Sequence, residues 1–493
     1  VRKGVNDDDR LSRRLRAALP AELDTGPVLE RIRRDVSRLP RRAQPRRGPW
    51  LAAVTGLAAL LVGLGLLDGE WAPVSANAGR VEFVSVRPGS VEFLSSQAQP
   101  AGEYAAMKGK VLAGFNGTAD FNSQPTAAQD VARIRYEEAA GSSTVDLIAL
   151  TYSDMLVLQR AGDLEDLSSL LPDLQRDRRF PQPLLADARF GTGRQYAIPW
   201  LQGTYLMTVN KKALPYLPPG ADVHHLTYDQ LVEWGQIMRS QTGQNRIGLP
   251  ADLSGPQGGL VYRFLQGYTY PSYTRSTLTG FASPAAVPMW QMLQRLWAVT
   301  DPASATSDSM STPLLTGEVW VAWDHQARLA AALADSGDFV AVPAPAGPQG
   351  QGYMTAEVEL AIPKGAPNPA GARALIEWLT RPAQQAEAAA NLGFFPVVQG
   401  VQLAGPQAPS LAVDNAYRSN RAAIETLPPV GLGSDTDAFT AVYQDAFDRI
   451  VVHGEDIGTV LAADGPRLQQ LVDDAMASCW RPDPPSRGPC RIG

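Results

Sequence analysis

From Val91 onward the chain alternates short apolar runs with stretches of helical periodicity, and that alternation admits few architectures. Val91–Leu94 (VEFL) reads as a strand. Gly102–Phe115 has helical spacing through Tyr104, Met107, Val111 and Leu112. Thr118–Phe121 is a second strand, and Thr126–Ala139 is a helix with Val131 and Ile134 turned inward. Val145–Leu150 (VDLIAL) is a third strand, apolar almost throughout, and a further helix begins at Asp154. Strands separated by helices pair in parallel, with helices covering both faces of the sheet. Ligands of such sheets sit beyond the carboxyl ends of the strands. Ser95-Ser96-Gln97 and Thr151-Tyr152-Ser153-Asp154 fall at those ends.

The second half mixes the same elements. Tyr205–Val209, Glu318–Trp323, Phe339–Val342 and Glu357–Ile362 read as strands. Tyr228–Thr242 is a helix, with Thr227 placed as its N-cap. Further helices are expected over Pro288–Val299, Ala370–Leu379, Val413–Glu425, Asp437–Val452 and Gly465–Met476.

Ahead of this region lies Trp50–Leu67, 18 residues without a charge. As a helix it is about 27 Å long, enough to cross a hydrocarbon core. Arg41, Arg42, Arg46 and Arg47 precede it, so the positive-inside rule puts the N-terminus in the cytoplasm and the bulk of the chain outside. The expectation is a single-pass anchor at the cell membrane through residues 50–67, with a short basic cytoplasmic tail over residues 1–49 and a linker over residues 68–80. A signal peptide cut after Ala78, in the A-x-A-like Ala76-Asn77-Ala78, is the rival. The charge follows the same division. Residues 1–49 carry 14 Lys and Arg against 7 Asp and Glu, a net +7, whereas the whole chain is −6 and the remainder therefore −13. So acidic a bulk excludes nucleic acid as the main partner, because phosphate binding needs clustered cations.

Enzyme signatures are missing from the sequence. It holds no G-x-S-x-G, H-E-x-x-H, P-loop or G-x-G-x-x-G after a strand. No enzyme, cofactor or metal site is expected. The two cysteines, Cys479 and Cys490, fit no zinc pattern. They form a disulfide if the region is extracytoplasmic, and otherwise remain two thiols on a frayed tail.

Several longer motifs resemble the carbohydrate-binding components of ABC importers, the maltose-binding-like group of extracellular solute-binding proteins. VDLIAL followed by GDLEDLSSLL (Gly162–Leu171) is similar to a strand and turn of the family's first lobe. YAIPWLQGTYLMTVNKKAL (Tyr196–Leu214) is similar to its first hinge crossing, with Val209 where the family usually has Tyr. LTYDQLVEWGQIM (Leu226–Met238), IGLP (Ile247–Pro250), LLTGEVWVAWDH (Leu314–His325), VPAPAGPQGQGYM (Val342–Met354), LAIPKGAPN (Leu360–Asn368) and FFPVV (Phe394–Val398) follow in the family's order. The resemblance spans about residues 80–476. No cysteine precedes Cys479, so an N-terminal lipid anchor, common among relatives, is not expected.

The resemblance implies an α/β two-lobed periplasmic-binding-protein fold of type II. Lobe 1 would comprise residues 81–200 and 360–410, lobe 2 residues 201–359 and 411–478, and residues 479–493 a C-terminal tail. Hinge crossings are expected near Pro199–Gln202, Glu357–Ile362 and Gly405–Leu411. It further implies capture of a sugar or oligosaccharide and delivery to ABC transporter permease subunits. A membrane-anchored sugar sensor signalling through its cytoplasmic tail is the alternative. Sugars need aromatic platforms beside hydrogen-bonding groups in a cleft. On that chemistry the expected ligand contacts are Ser95, Gln97, Tyr152, Ser153 and Asp154 from the first lobe. Trp200 and Tyr205 are chosen from the hinge, and Tyr262, Arg263, Trp323, Asp324 and Tyr353 from the second lobe. Trp200 and Trp323 are expected to stack on the sugar from opposite sides. For Asp154 a helix N-cap is the competing role, and for Tyr205 and Trp323 it is burial in the core. His325 reads as a structural histidine.

Overall fold

Two long strands, β4 (Ile198–Asn210) and β8 (Gln351–Ala361), organise the molecule. The computed structural model describes residues 89–95, 101–122, 127–254, 260–334, 337–403 and 407–493. The basic segment, the apolar run 50–67, the linker, Gln97 and part of the third expected crossing lie outside them. Among the described residues no helix is long and apolar enough to cross a membrane.

The sheet runs in the order β2-β1-β3-β8-β4-β6-β5. Here β1 is Ser90–Ser95, β2 Thr118–Asn122, β3 Leu147–Thr151, β5 Ile247–Gly248 and β6 Val321–His325. Strands β1, β2 and β3 are parallel, as the alternation predicts, whereas β8 runs antiparallel to both β3 and β4. β4 changes partners midway. Ile198–Thr204 pair with β8, and Tyr205–Val209 pair with β6. β7 (Phe339–Val342) also pairs with its second half, and β9 (Phe395–Pro396) with its first. The first half thus belongs to one lobe and the second half to the other. β8 makes the same passage in reverse, because its start pairs with β10 (Ala423–Thr426) and its end with β3. The segment Ala423–Thr426 is expected from the sequence as the end of a helix. That helix stops at Ser419, and a turn through Asn420 returns the chain to the sheet.

The helices that position the cleft and its walls are α1 (Ala101–Ala106), α2 (Ala127–Ala140), α3 (Tyr152–Ala161), α4 (Gln182–Asp187), α5 (Tyr228–Thr242), α6 (Val261–Phe264), α7 (Ala286–Trp297), α8 (Gln326–Leu333), α9 (Pro369–Leu379), α10 (Pro382–Leu392), α11 (Gln407–Ser419), α12 (Thr436–Phe447) and α13 (Ile457–Asp474). Local chemistry sets their ends. Thr227 caps α5 and Gln230 returns the bond, a capping box, while Gly243 ends the helix in the left-handed region at φ 75°.

One face of the first sheet buries Phe93, Leu147, Trp200, Val358 and Leu360 beneath Leu375 and Ile376 of α9. The other face packs Leu94, Ile148 and Leu150 against Ile134 and Met155, and this core continues into the second lobe around Trp234, Trp290 and Trp323. The C-terminal segment is no frayed tail. Cys479 and Cys490 are joined in a disulfide and Cys490 is fully buried. The Asp483 carboxylate accepts from the backbone N–H groups of Thr277, Leu278 and Thr279. Those bonds fasten the segment to the second lobe.

Candidate functional site

The first-lobe wall of the cleft is built where β3 ends and α3 begins. Thr151 occupies the N-cap position without capping the helix. Its hydroxyl instead donates to Asp154 Oδ2 at 2.7 Å and lies 2.8 Å from Ser153 Oγ. Asp154 therefore sits inside the first turn of α3 and is not its N-cap. Burial raises its carboxyl above the ordinary value, with the Thr151 bond and the Arg263 charge acting the other way and Asp437 of α12 adding to the rise. Glu103, in α1, contributes a second carboxyl. Burial pushes it up to about 8, opposed by the Arg328 charge from the second lobe.

The second-lobe wall is aromatic beneath and cationic above. Tyr205 stacks on Trp323 with ring centres 5.1 Å apart and 12° between planes. Tyr268 meets both rings edge-on, at 6.1 and 5.2 Å. His325 stands edge-on to Tyr205 at 5.2 Å and 5.4 Å from Phe394. Burial, with Arg328 and Arg263 adding to it, lowers the His325 imidazole to about 3, so it is neutral at pH 7. Arg263 lies over the Tyr262 ring at 4.8 Å, its Nη1 reaches Met354 Sδ at 3.8 Å, and its Nε has no hydrogen-bond partner among the described residues. The charges of Asp154 and Arg263 act on one another across the cleft. Arg328 donates to the Asp308 carbonyl and lies 3.9 Å from Asp324.

Close packing beneath the cleft requires glycine at position 203 of β4. A Cβ there would meet His325 Nε2 at 2.8 Å and Gln326 Nε2 at 3.1 Å. Gln326 accepts from the Thr204 N–H and donates to the Gly393 carbonyl, which ties α8 to the crossing strand.

The structure brings together Ser153, Asp154, Tyr205, Tyr262 and Arg263, and separates them from other expected contacts. Trp200 is fully buried in the first-lobe core with Phe93 edge-on at 6.0 Å. It offers no surface to a ligand, so its expected role as a platform is corrected. It is the residue skipped at the register shift of β4 on β8, and it packs in the core that holds Leu375 and Ile376 of α9. Trp323 is 2% exposed, held by Tyr205, Phe264 and Tyr268, and lies beneath the site as framework. Register decides this: Trp323 pairs with Met207 in mid-ladder, whereas Trp320 lies outside the strand under Arg246. Asp324 is fully buried, and its carboxylate accepts from Met310 N, His325 N and Ser309 Oγ. It braces a loop and presents no free oxygen for a hydroxyl. Ser95 is buried in β1 opposite Ala149.

Tyr152 and Tyr353 belong to a different place. Tyr353 stacks flat on Tyr417, 5.1 Å apart at 2°, while its neighbour Met354 faces Arg263. Tyr152 packs on Phe190 and lines a cavity of about 260 Å³ with Asp187, Trp480 and Arg481.

Sequence reasoning passed over Glu103, Arg328 and Asp437, and set His325 and Phe394 aside. Glu103 had a usable signal, an acid in the first turn of the helix after β1, at the sheet end where ligands bind. The others are brought in by pairing and packing at long range, and no local pattern marks them.

Comparison with known proteins gives a consistent picture. The model of the family described as bacterial extracellular solute-binding protein matches residues 97–386. No curated protein matches the sequence. Among solved structures, the maltose-bound MalE3 protein of T. maritima is similar with a TM-score of 0.62 at 19% identity, over 78% of this chain and 99% of that one. The GacH receptor of Streptomyces glaucescens, solved unliganded and with acarbose, has a TM-score of 0.59 at 20% identity, again over 78% and 99%. UgpB of Mycobacterium tuberculosis, solved with glycerophosphocholine, has a TM-score of 0.56 at 20% identity over the same shares.

Proposed function

This chain belongs to the bacterial extracellular solute-binding protein family, and from that premise we infer that it captures a sugar or oligosaccharide between its two lobes and delivers it to ABC transporter permease subunits. The observation that carries the reading is that Asp154 of the first lobe and Arg263 of the second lie near enough for their charges to act on one another, above the buried Tyr205–Trp323 stack. A carboxylate and a guanidinium supply the acceptors and paired donors that adjacent sugar hydroxyls need. A neutral His325 adds one donor or acceptor without charge.

Ser153, Asp154, Tyr205, Tyr262 and Arg263 are the proposed contacts, joined by Glu103, His325 and Arg328. Structural neighbours solved with maltose and acarbose support a carbohydrate, and the family supports a binding rather than a catalytic role. β4 and β8 pass between the lobes, and these crossings are the proposed hinge. Residues 50–67 are the proposed membrane anchor, which puts residues 81–478 and the C-terminal segment outside the cell membrane. Protease added to intact spheroplasts should remove the outer part and spare the basic tail. A soluble product beginning at Gly79 would overturn the anchor. Capture is tested by thermal-shift screening against maltose, acarbose and chitin oligosaccharides. A raised melting temperature that Arg263→Ala abolishes supports the reading, and wild-type binding by that variant refutes the placement of the site.

A further inference from the structure

Glu359 lies in β8 where that strand pairs with both β3 and β4, opposite Leu150 on one side and Pro199 on the other. It is 1% exposed, and neither carboxylate oxygen has a hydrogen-bond partner among the described residues. Two residues along, on the same face of the strand, Glu357 is also buried, opposite Gln202. The charged and titratable groups that bear on this pair come from both lobes. Tyr152 of α3 and Asp187 of α4 belong to the first. Arg481 of the C-terminal segment, Glu425 of β10 and Arg418 of α11 belong to the second. Both guanidiniums are engaged elsewhere. Arg481 bridges Asp187 and Glu425 at 3.0 Å each, and Arg418 holds Asp414 at 2.8 Å. Acids therefore outnumber cations here, and no grouping suited to a metal ion occurs among the described residues.

An ionised carboxylate without a donor, beside other acids and out of water, is strongly disfavoured, and protonation resolves the conflict. We propose that Glu359, backed by Glu357, is a proton-binding site in the hinge that fills when the lobes close and empties when they open. The contacts that close it over are the ones parting would break. The cavity beside Tyr152 and Asp187 has Leu427, Val430, Trp480 and Arg481 as its second-lobe wall. Withdrawal of that wall breaks the Arg481–Asp187 bridge and, on this proposal, also opens the pair, which lies near Tyr152 and Asp187, to water. The proposal needs only that the lobes move apart, and it goes beyond the capture of a sugar.

In the state described, burial pushes Glu357 up to about 8 and Glu359 well above the carboxylate range, with like charges adding to both. In the opened state water returns the pair toward an ordinary value of about 4.3. A carboxyl raised in one state favours that state at low pH. The preference for closure is complete below the opened-state value and is lost as pH rises through the closed-state value. For one proton the ratio of closed to open molecules changes by up to about tenfold per pH unit.

Spin labels on Tyr136→Cys of the first lobe and Val452→Cys of the second, both exposed positions, report the separation in the full chain without added sugar. Double electron–electron resonance from pH 5 to pH 9 should show one distance population giving way to another as pH rises. Glu359→Gln, neutral throughout, should hold the acid-side population. Cleft groups such as Glu103 and Asp154 also titrate, and this variant leaves them in place. A wild-type distribution that ignores pH, or a Glu359→Gln curve that follows the wild type, overturns the proposal. Carbon-13 NMR of glutamate-labelled wild-type protein gives a second reading that does not depend on the variant's folding. It should show a protonated carboxyl at pH 7 that persists in Glu103→Gln, whose own carboxyl is also raised, and glutamates that are all ionised in that variant would refute the site.

Discussion

Trp323→Ala separates a buried framework from a ligand platform. The ring is 2% exposed, stacked on Tyr205 at 5.1 Å and packed against Phe264 and Tyr268 at 4.9 and 5.2 Å. Its Nε1 has no hydrogen-bond partner among the described residues, so truncation costs packing and little else. Replacing a buried tryptophan by alanine costs about 3–5 kcal/mol, because the cavity collapses only in part. In a unit of about 400 residues one kilocalorie moves the melting temperature by about 1 °C, giving a fall of about 3–6 °C. Scanning calorimetry of wild type and variant at one pH measures it, with sugar titrations run in parallel. Removing the support beneath Tyr205 should also weaken binding, as a consequence of lost structure. A melting temperature within about 2 °C of wild type, combined with a more than tenfold loss of affinity, would show that Trp323 meets the sugar directly.

Four further outcomes follow from the same contacts. Asp324→Ala should lower the midpoint of chemical unfolding by the equivalent of about 1–3 kcal/mol, since it strands the Met310 and His325 N–H groups. Reduction of the Cys479–Cys490 disulfide should lower the melting temperature, by at most about 3 kcal/mol of stability, and alkylatable thiols without reductant would contradict the bond. His325 is held near 3 in the folded chain, so its stability contribution is intact above about 6.5 and declines as pH falls from there toward 3; melting curves of His325→Asn should lose less stability than wild type between pH 7 and 5. Arg481→Met breaks a half-exposed bridge between the lobes and should cost at most about 1 kcal/mol, while shifting small-angle scattering toward a more open form.

Elements set by local chemistry were legible in the sequence. Thr227 and the helix it starts fall where the capping residues put them, and Leu147–Leu150 of the VDLIAL run form most of a central strand. Elements set by long-range pairing were not. Pro199–Gln202 read as a crossing from the family resemblance, and only the pairing with β8 shows it to be part of a 13-residue strand. The same limit governs the site. Asp154 could be chosen because it follows a strand end, whereas no strand or motif position marks Arg263. Trp200 and Trp323 could not be placed, because which face of a strand is buried depends on the partner strand. The acids at 357 and 359 looked like an ordinary alternation, and only burial by α3, α4 and the C-terminal segment makes them unusual.

Calorimetric titration of the full chain with the best sugar from the screen, compared with Asp154→Asn and Arg263→Ala, tests the central claim most directly. Each removes charge-assisted hydrogen bonds of about 1.5–3 kcal/mol, so affinity should fall roughly tenfold to a hundredfold in each while melting temperatures stay near wild type. If both variants bind as wild type does, the sugar does not lie between Asp154 and Arg263, and the cleft assignment is wrong.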